Sequence, residues 1–485
     1  MNSTSVNRLI AKRTCDGVST ITVPYLILSP RMLQDFVRRS LPFAFAAFAL
    51  SAACRKTAPQ GAGSAAPAKS VLRLLHIEVG TRRATLQDVL TTYNAQHPGV
   101  PLVEESIAGG GNLLLGDKVR TDLAAGNPPH LFQMWPGEIV GPFIDAGHLR
   151  PIDDWFAKYH WDDVLIPWTL RSVERYGKRW AIPTASHGMT FWYRKDIFAR
   201  LHLTEPNTYS ELEQVCTTLR ANDIDCISLG GKYGWLTMRL LDFFIEHTCG
   251  PSVHDQLNKL EQDWNQPCVV DAFGLLVRWI DKGWITSDFL NVAPNDARLP
   301  FYRGTAAMTF EGDWMESILT QEDEQDINRY DFFLPPSDHT PRRFCGFAEM
   351  FAVVRNAGNE DRVADFLNEY LQEAVQAKTL AGVDWTARRN VPLDPAKWPR
   401  TKKWRQFIDN GATYPPTDQV FPRKVMDDWF EIQDSVAAKR TPPAQGAAAL
   451  GKALDNYRTY RAKMAPVYED RATFGPQGSS KAPAP

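Results

Sequence analysis

The residues best suited to chemistry gather at Phe301–Trp314, which reads Phe-Tyr-Arg-Gly-Thr-Ala-Ala-Met-Thr-Phe-Glu-Gly-Asp-Trp. Gly304 marks a helix end, the residues after it read as a buried strand, and Gly312 leaves room for a close-approaching ligand. Asp313, ionised, accepts two hydroxyl hydrogen bonds, and Trp314 offers a flat apolar face. The competing role for Asp313 is the N-cap of a helix from Met315. Catalysis needs more than this. The chain has no Gly-x-Ser-x-Gly and no His-Glu-x-x-His. Glu311 and Asp313 form a carboxylate pair, but with 23% charged residues such pairs arise by chance. Gly109-Gly110-Gly111-Asn112 lacks the Gly-Lys-Ser/Thr of a phosphate loop, so no nucleotide site is expected there. Asn112 either reaches a ligand hydroxyl or caps the helix that follows. No Cys-x-x-Cys or His/Cys spacing suits zinc, and no metal or cofactor is expected.

Several elements must position these groups. Val71–Ile77 reads as an apolar strand, Thr85–Gln96 as a helix, and Val100–Val103 as a second strand, a βαβ opening that sends its loops to the carboxyl ends of strands. Gly177–Pro183 and Met189–Phe198 read as two short apolar strands with a flexible piece, Thr184–Gly188, between them, able to carry the backbone from one lobe to another. Thr208 and Glu211 form a capping box before a helix through Leu219. Asp225–Gly230 reads as a strand, followed by a loop to Trp235. Phe344–Val354 reads as a return strand with Glu349 toward a cleft, and helices follow at 362–376, 422–437 and 447–460.

Length and charge bound the rest. A chain of 485 residues exceeds one compact core and suggests two or three lobes. A net charge of -2 argues against nucleic acid as a partner. Arg38-Arg39, the apolar run Leu41–Leu50 and Ser51-Ala52-Ala53-Cys54 resemble a bacterial lipoprotein signal, with Met32 a plausible start and Cys54 the lipidated residue. Residues 1–54 are thus assigned to an extension and signal, 55–70 to a tether, and 471–485 to a flexible tail. In an exported chain Cys216 pairs with Cys226 and Cys249 with Cys268; the alternative is unpaired buried thiols.

Three stretches together resemble the extracellular solute-binding proteins of ABC sugar importers, the maltose-binding type. They are Gly177–Phe198, Pro128–Glu138 leading to Ala146-Gly147-His148-Leu149, and above all Phe301–Trp314. Departures are Arg194 for the usual Asn, His130 for Asp, and Ile77–Arg82 where some relatives carry Trp-Trp. The resemblance implies an α/β, two-lobe periplasmic-binding-protein (type II) fold, each lobe a central β-sheet flanked by helices. Lobe 1 takes 71–183 and 348–410, lobe 2 takes 188–344 and 411–470, with hinges at 183–188 and 345–350. It implies a monomeric periplasmic receptor, not an enzyme, anchored to the membrane through a lipid on Cys54. The receptor delivers a mono- or oligosaccharide to the permease subunits of an ABC importer; a sugar sensor of the same fold is the alternative. The ligand-binding residues it points to are Glu78, Asn112, Gln133, Trp135, His187, Trp235, Asp313, Trp314, Glu349, Trp385 and Arg388. Trp135 and Trp235 stack on a ring face from either lobe or serve as core aromatics, and the Gln133 amide both donates to and accepts from hydroxyls. The Glu78 and Arg82 charges favour a substituted or longer sugar or form a solvated pair.

Overall fold

A computed structural model describes residues 71–107, 111–323, 325–379, 385–392, 394, 400–408 and 412–472. The expected signal, Cys54, tether and terminal tail from 473 lie outside the described residues. The chain divides into Met1–Ala66 and Pro67–Pro485, and all that follows belongs to the second unit.

The strands of the main sheet are β1 Leu72–His76, β2 Leu102–Ser106, β3 Leu131–Met134, β4 Ala181–Arg194, β5 Asp225–Ser228, β6 Ala306–Gly312, β7 Tyr330–Phe333, β8 Phe344–Val353 and β9 Thr413–Tyr414; Glu174–Arg175 and Lys178–Arg179 pair apart from it. They hydrogen-bond in the order β2-β1-β3-β8-β4-β6-β5, with β9 beside β8 and β7 beside β4. The first three are parallel, as the βαβ reading required, and β8 returns antiparallel to β3. Helices that cover the sheet include α1 Gly80–Gln96, α2 Gly111–Ala124, α3 Tyr209–Arg220, α4 Trp235–Asn258, α5 Pro267–Asp281, α6 Glu360–Tyr370, α7 Arg423–Ala437 and α8 Pro443–Ala472. Among the described residues no helix is long and apolar enough to cross a membrane.

Side-chain alternation along the strands separates the core into layers. Leu72 and Leu74 of β1 pack on one face with Leu86, Leu90 and Tyr93 of α1 and Phe366 of α6. Leu75, with Phe132 and Met134 of β3, packs on the other face with Leu115 and Val119 of α2. The second half of the sheet repeats the device. Met189 and Phe191 of β4 meet Leu212 of α3, Phe244 of α4, Phe273 of α5, Trp429 of α7 and Leu450 of α8. Trp192, one residue on, points the opposite way, to Phe332 and Trp404.

The stretch 181–194 departs from expectation. It is one strand of 14 residues, every one buried, rather than two short strands around a flexible piece. Its first half pairs antiparallel with β8, from Ala352↔Ala181 to Gly346↔Gly188, and its second half with β6 and β7. Buried amides need partners along the whole run, and the change of neighbour at Gly188–Met189 supplies them without a break. The only irregularity in the β4–β8 register falls between Glu349 and Met350.

Local signals behave as read. The Thr208 hydroxyl accepts from Glu211 N at 3.2 Å while the Glu211 carboxylate accepts from Thr208 N at 3.1 Å. Gly304 ends its helix at φ +79°. Gly312 serves a different purpose from the one expected: a Cβ there would lie 2.2 Å from the Trp314 ring, so the glycine admits an indole of its own chain. Cys216 of α3 and Cys226 of β5 form a disulfide, as do Cys249 of α4 and Cys268 of α5. The first pair is fully buried, a helix-to-strand staple rather than a surface link, and Cys345 stays reduced and buried.

Two outcomes follow. Replacing Cys249 and Cys268 together by Ala releases a closure spanning 19 positions and is expected to lower stability by about 3 kcal/mol, read from urea unfolding. Gly312→Ala is expected to displace the Trp314 ring and cost about 1–3 kcal/mol, visible as a shift in tryptophan emission together with a lower melting temperature.

Candidate functional site

The site lies where β4 and β8 run side by side and the sheet changes partners. His187 of β4 stands opposite Phe347 of β8, and Glu349 is the diagonal neighbour two residues along. Asp313 follows β6, whose last residue pairs with Met189. Gln133 belongs to β3, and Glu78 sits in the loop leaving β1. Five residues distant in sequence thereby form one polar line.

Along that line Gln133 Nε2 donates to Glu78 Oε1 at 2.6 Å and to Glu349 Oε2 at 2.7 Å. Its carbonyl accepts from Ile77 N at 3.0 Å. Glu349 Oε1 faces His187 Nε2 at 3.5 Å, and His187 Nδ1 lies 3.2 Å from both Asp313 oxygens. Asp313 Oδ1 also accepts from Gly188 N at 3.0 Å. Arg82 Nη1 approaches Glu78 Oε2 at 3.5 Å, four residues on in α1. A second buried pair, Arg298 Nε to Glu311 Oε1 at 3.3 Å, stands behind, and Glu311 Oε2 accepts from the Trp314 indole at 2.8 Å. Burial pushes the Glu349 carboxyl upward, but the His187 hydrogen bond and charge, Arg82 and the Gln133 amide outweigh it and hold the group below the usual carboxylate range.

Rings close the opposite side. His187 meets Phe347 at 5.1 Å and the Trp314 edge at 5.8 Å; Trp314 meets Phe347 at 6.1 Å and Trp235 at 6.1 Å, edge on. Trp235 and Trp314 are half-buried. Arrays of this type can hold polar, ring-shaped molecules: faces exclude water while carboxylates accept hydrogen bonds from hydroxyls.

The structure therefore brings together Glu78, Gln133, His187, Trp235, Asp313, Trp314 and Glu349. Asp313 caps no helix with its side chain; Trp314 occupies the cap position. Gln133 spends both amide hydrogens on carboxylates, which makes it the tie between Glu78 and Glu349. Trp135 packs half-buried against the layer of Leu75 and Phe132, and no ring contact joins it to the cluster among the described residues. Trp385 accepts at its carbonyl from Ser186 N at 2.8 Å, which sets it beside β4 at the edge of the group. Arg388 is turned elsewhere, donating Nη1 to Leu371 O at 3.0 Å. Asn112 falls in the first turn of α2, and its side chain lies outside the described residues. Sequence reading missed Phe347, although it was legible two positions before Glu349 on the same strand face. It also missed Arg239, one helical turn after Trp235, and Asp418, which no local pattern marks.

The model of the bacterial extracellular solute-binding protein family matches residues 79–377. An uncharacterized ABC transporter extracellular-binding protein of Pyrococcus horikoshii is 23% identical over 241 residues, 48% of this chain and 53% of that protein. A probable sugar-binding periplasmic protein of Brucella melitensis is 25% identical over 272 residues, 54% and 62% of the two lengths. The chain thus spans roughly half to three-fifths of these curated relatives. A solved chitin oligosaccharide binding protein superposes with a TM-score of 0.72 at 24% identity, covering 80% of this chain and 99% of that one, which shows the shared two-lobe α/β fold. With the family model matched from the loop after β1 into the helix at 373–379, and the fold matched over nearly all of a solved binding protein, the chain belongs to the bacterial extracellular solute-binding proteins.

Proposed function

We propose that this protein is an extracytoplasmic carbohydrate receptor that hands a mono- or oligosaccharide unchanged to the permease of an ABC importer. The observation that carries the reading is the single cluster at the β4–β8 crossing, where Trp235 and Trp314 flank a line of carboxylates drawn from both halves of the sheet. Relatives named as sugar-binding proteins support the ligand class. Pyranose rings fit such a site because one face is apolar and the rim carries hydroxyls. Release without chemistry needs only that the closed form bind better than the open one. In this reading the halves are the lobes 71–183 with 348–410 and 188–344 with 411–470, hinged at 183–188 and 345–350. Lipidation at Cys54 and action as a monomer are part of the proposal.

A thermal-shift screen against neutral mono- and disaccharides tests the reading, since a ligand of the native state raises the melting temperature. Trp235→Ala and Trp314→Ala are each expected to weaken the bound sugar by about 1–3 kcal/mol in calorimetry, the range of a lost ring face in a desolvated site. No shift with any sugar, or unchanged affinity in both variants, overturns it. The charge at Glu349 has a pH signature. Its carboxyl is held low in the folded protein, so its stabilising contribution is fully present above the unfolded value of about 4.3 and fades as pH falls toward the folded value. The stability gap between the parent protein and Glu349→Gln, from denaturant unfolding, is therefore expected to be widest near neutrality and to shrink below about pH 4.

A further inference from the structure

The two halves of the sheet carry separate core layers, and a backbone contact outside the β4–β8 pairing joins them. Trp135, Ile139 and Val140, on either side of Gly137-Glu138, pack in the layer of Leu75 and Phe132. Val420, Phe421 and Tyr457 pack in the layer of Met189 and Phe191. Between the two, Glu138 N donates to Gln419 O at 2.8 Å. Gly137 holds φ +71°, and a Cβ there would fall 1.9 Å from Gln419 O. The two backbones touch because residue 137 has no side chain and tolerates that dihedral.

Each side of the contact is anchored in its own half. Arg175 Nη1 donates to Glu138 Oε1 at 2.9 Å, and its Nη2 to Asp145 Oδ2 at 2.9 Å, which fixes the turn on the first half. Asp242 of α4 accepts from Thr417 N at 3.0 Å and from the Thr417 hydroxyl, which clamps the segment carrying Gln419 onto the second half. Tyr457 of α8, in that second half, hydrogen-bonds to the Glu138 side chain. Burial and the Glu138 charge push the Tyr457 phenol up, so it stays protonated and donates to the carboxylate. Glu138 is thus held by a cation of its own half and by a phenol of the other, and hydrogen bonds to a charged group are the stronger kind. Every partner in the set is a protein group, so the contact needs no ligand to complete it.

We propose that the Gly137-Glu138 turn, Gln419 and Tyr457 form a latch that draws the two halves together before any sugar binds. A ligand of the closed form then meets a protein already partly in that form, and its apparent affinity rises with the closed fraction. The latch therefore acts on every sugar by one common factor, whereas a residue that touches sugar changes the preference among sugars. This rests on the two-lobe receptor reading above and adds to it what holds the closed form in the absence of ligand.

The test uses the whole protein as parent, Gly137→Ala and Tyr457→Phe. Small-angle X-ray scattering without sugar reads the separation of the halves, and thermal melts verify folding; Tyr457→Phe keeps the ring and decides alone if Gly137→Ala does not fold. Both variants are expected to show a larger radius of gyration than the sugar-free parent. Calorimetry with glucose, galactose, maltose and cellobiose then measures Kd. Each variant is expected to lose about tenfold, by the same factor for every sugar the parent binds, and saturating sugar is expected to return Tyr457→Phe to the parent radius. Folded variants with the parent radius in the absence of sugar overturn the latch, as does a loss of affinity that differs from one sugar to the next. A parent that binds none of these sugars overturns the receptor reading, and the sugar-free scattering comparison still decides the latch.

Discussion

The pairing of β4 with β8 is the constraint on which the rest depends. Two long strands, buried along their entire length, cross the middle of the sheet and must satisfy every amide while doing so. They manage it because β4 exchanges β8 for β6 and β7 at Gly188–Met189. Small residues make that exchange possible: Gly188 lies against the Phe344 ring, where a Cβ would come within 2.6 Å. Fixing this register decides which side chains meet, since a slip of one residue would turn His187 and Glu349 to the opposite face. The make-up of the polar cluster is thus a by-product of strand registry.

Charge placement follows the same logic. Burying Glu349, Asp313, Glu311, Arg298 and His187 together is tolerable only because each has an opposite charge or a hydrogen-bond donor beside it. Gln133 matters most in that respect, since it places one amide between two carboxylates that otherwise repel. The other side of the rings follows a different pattern, with Arg239 sandwiched by aromatics and bonded weakly. One side is a continuous run of carboxylate contacts; on the other, Arg239 Nε and Asp418 Oδ1 are buried without a hydrogen-bond partner. Asp242 lies deeper still, and burial pushes its carboxyl up to about 6 against the opposing effects of His254 and Thr417. Its bonds to Thr417 tie the late segment 412–420 to the helix that starts at Trp235.

Much of this was legible in the residues. Periodicity located α1, α3, α7 and α8, the Thr208–Glu211 box fixed a helix start to the residue, and the apolar runs located β1, β5, β6 and β8. The motif resemblance led to Asp313, Trp314 and Glu349, and the structure joins these to Glu78, Gln133, His187 and Trp235. Misreadings came where one residue type serves two physical ends. Gly312 looked like room for a ligand and is room for Trp314; Thr184–Gly188 looked flexible because Pro183 and Gly188 bracket it, and is strand. Arg388 looked available and is held by a main-chain carbonyl at Leu371.

The sequence by itself determined the element types, the βαβ opening and the family, because periodicity, caps and short motifs are local properties of a chain. The tertiary structure alone decided which charges face each other. Gln133 and Glu349 are 216 positions apart, His187 and Asp313 126, and no local pattern encodes a meeting at such range. The register of β8 against β3 and β4, and of β4 against β6, sets those distances.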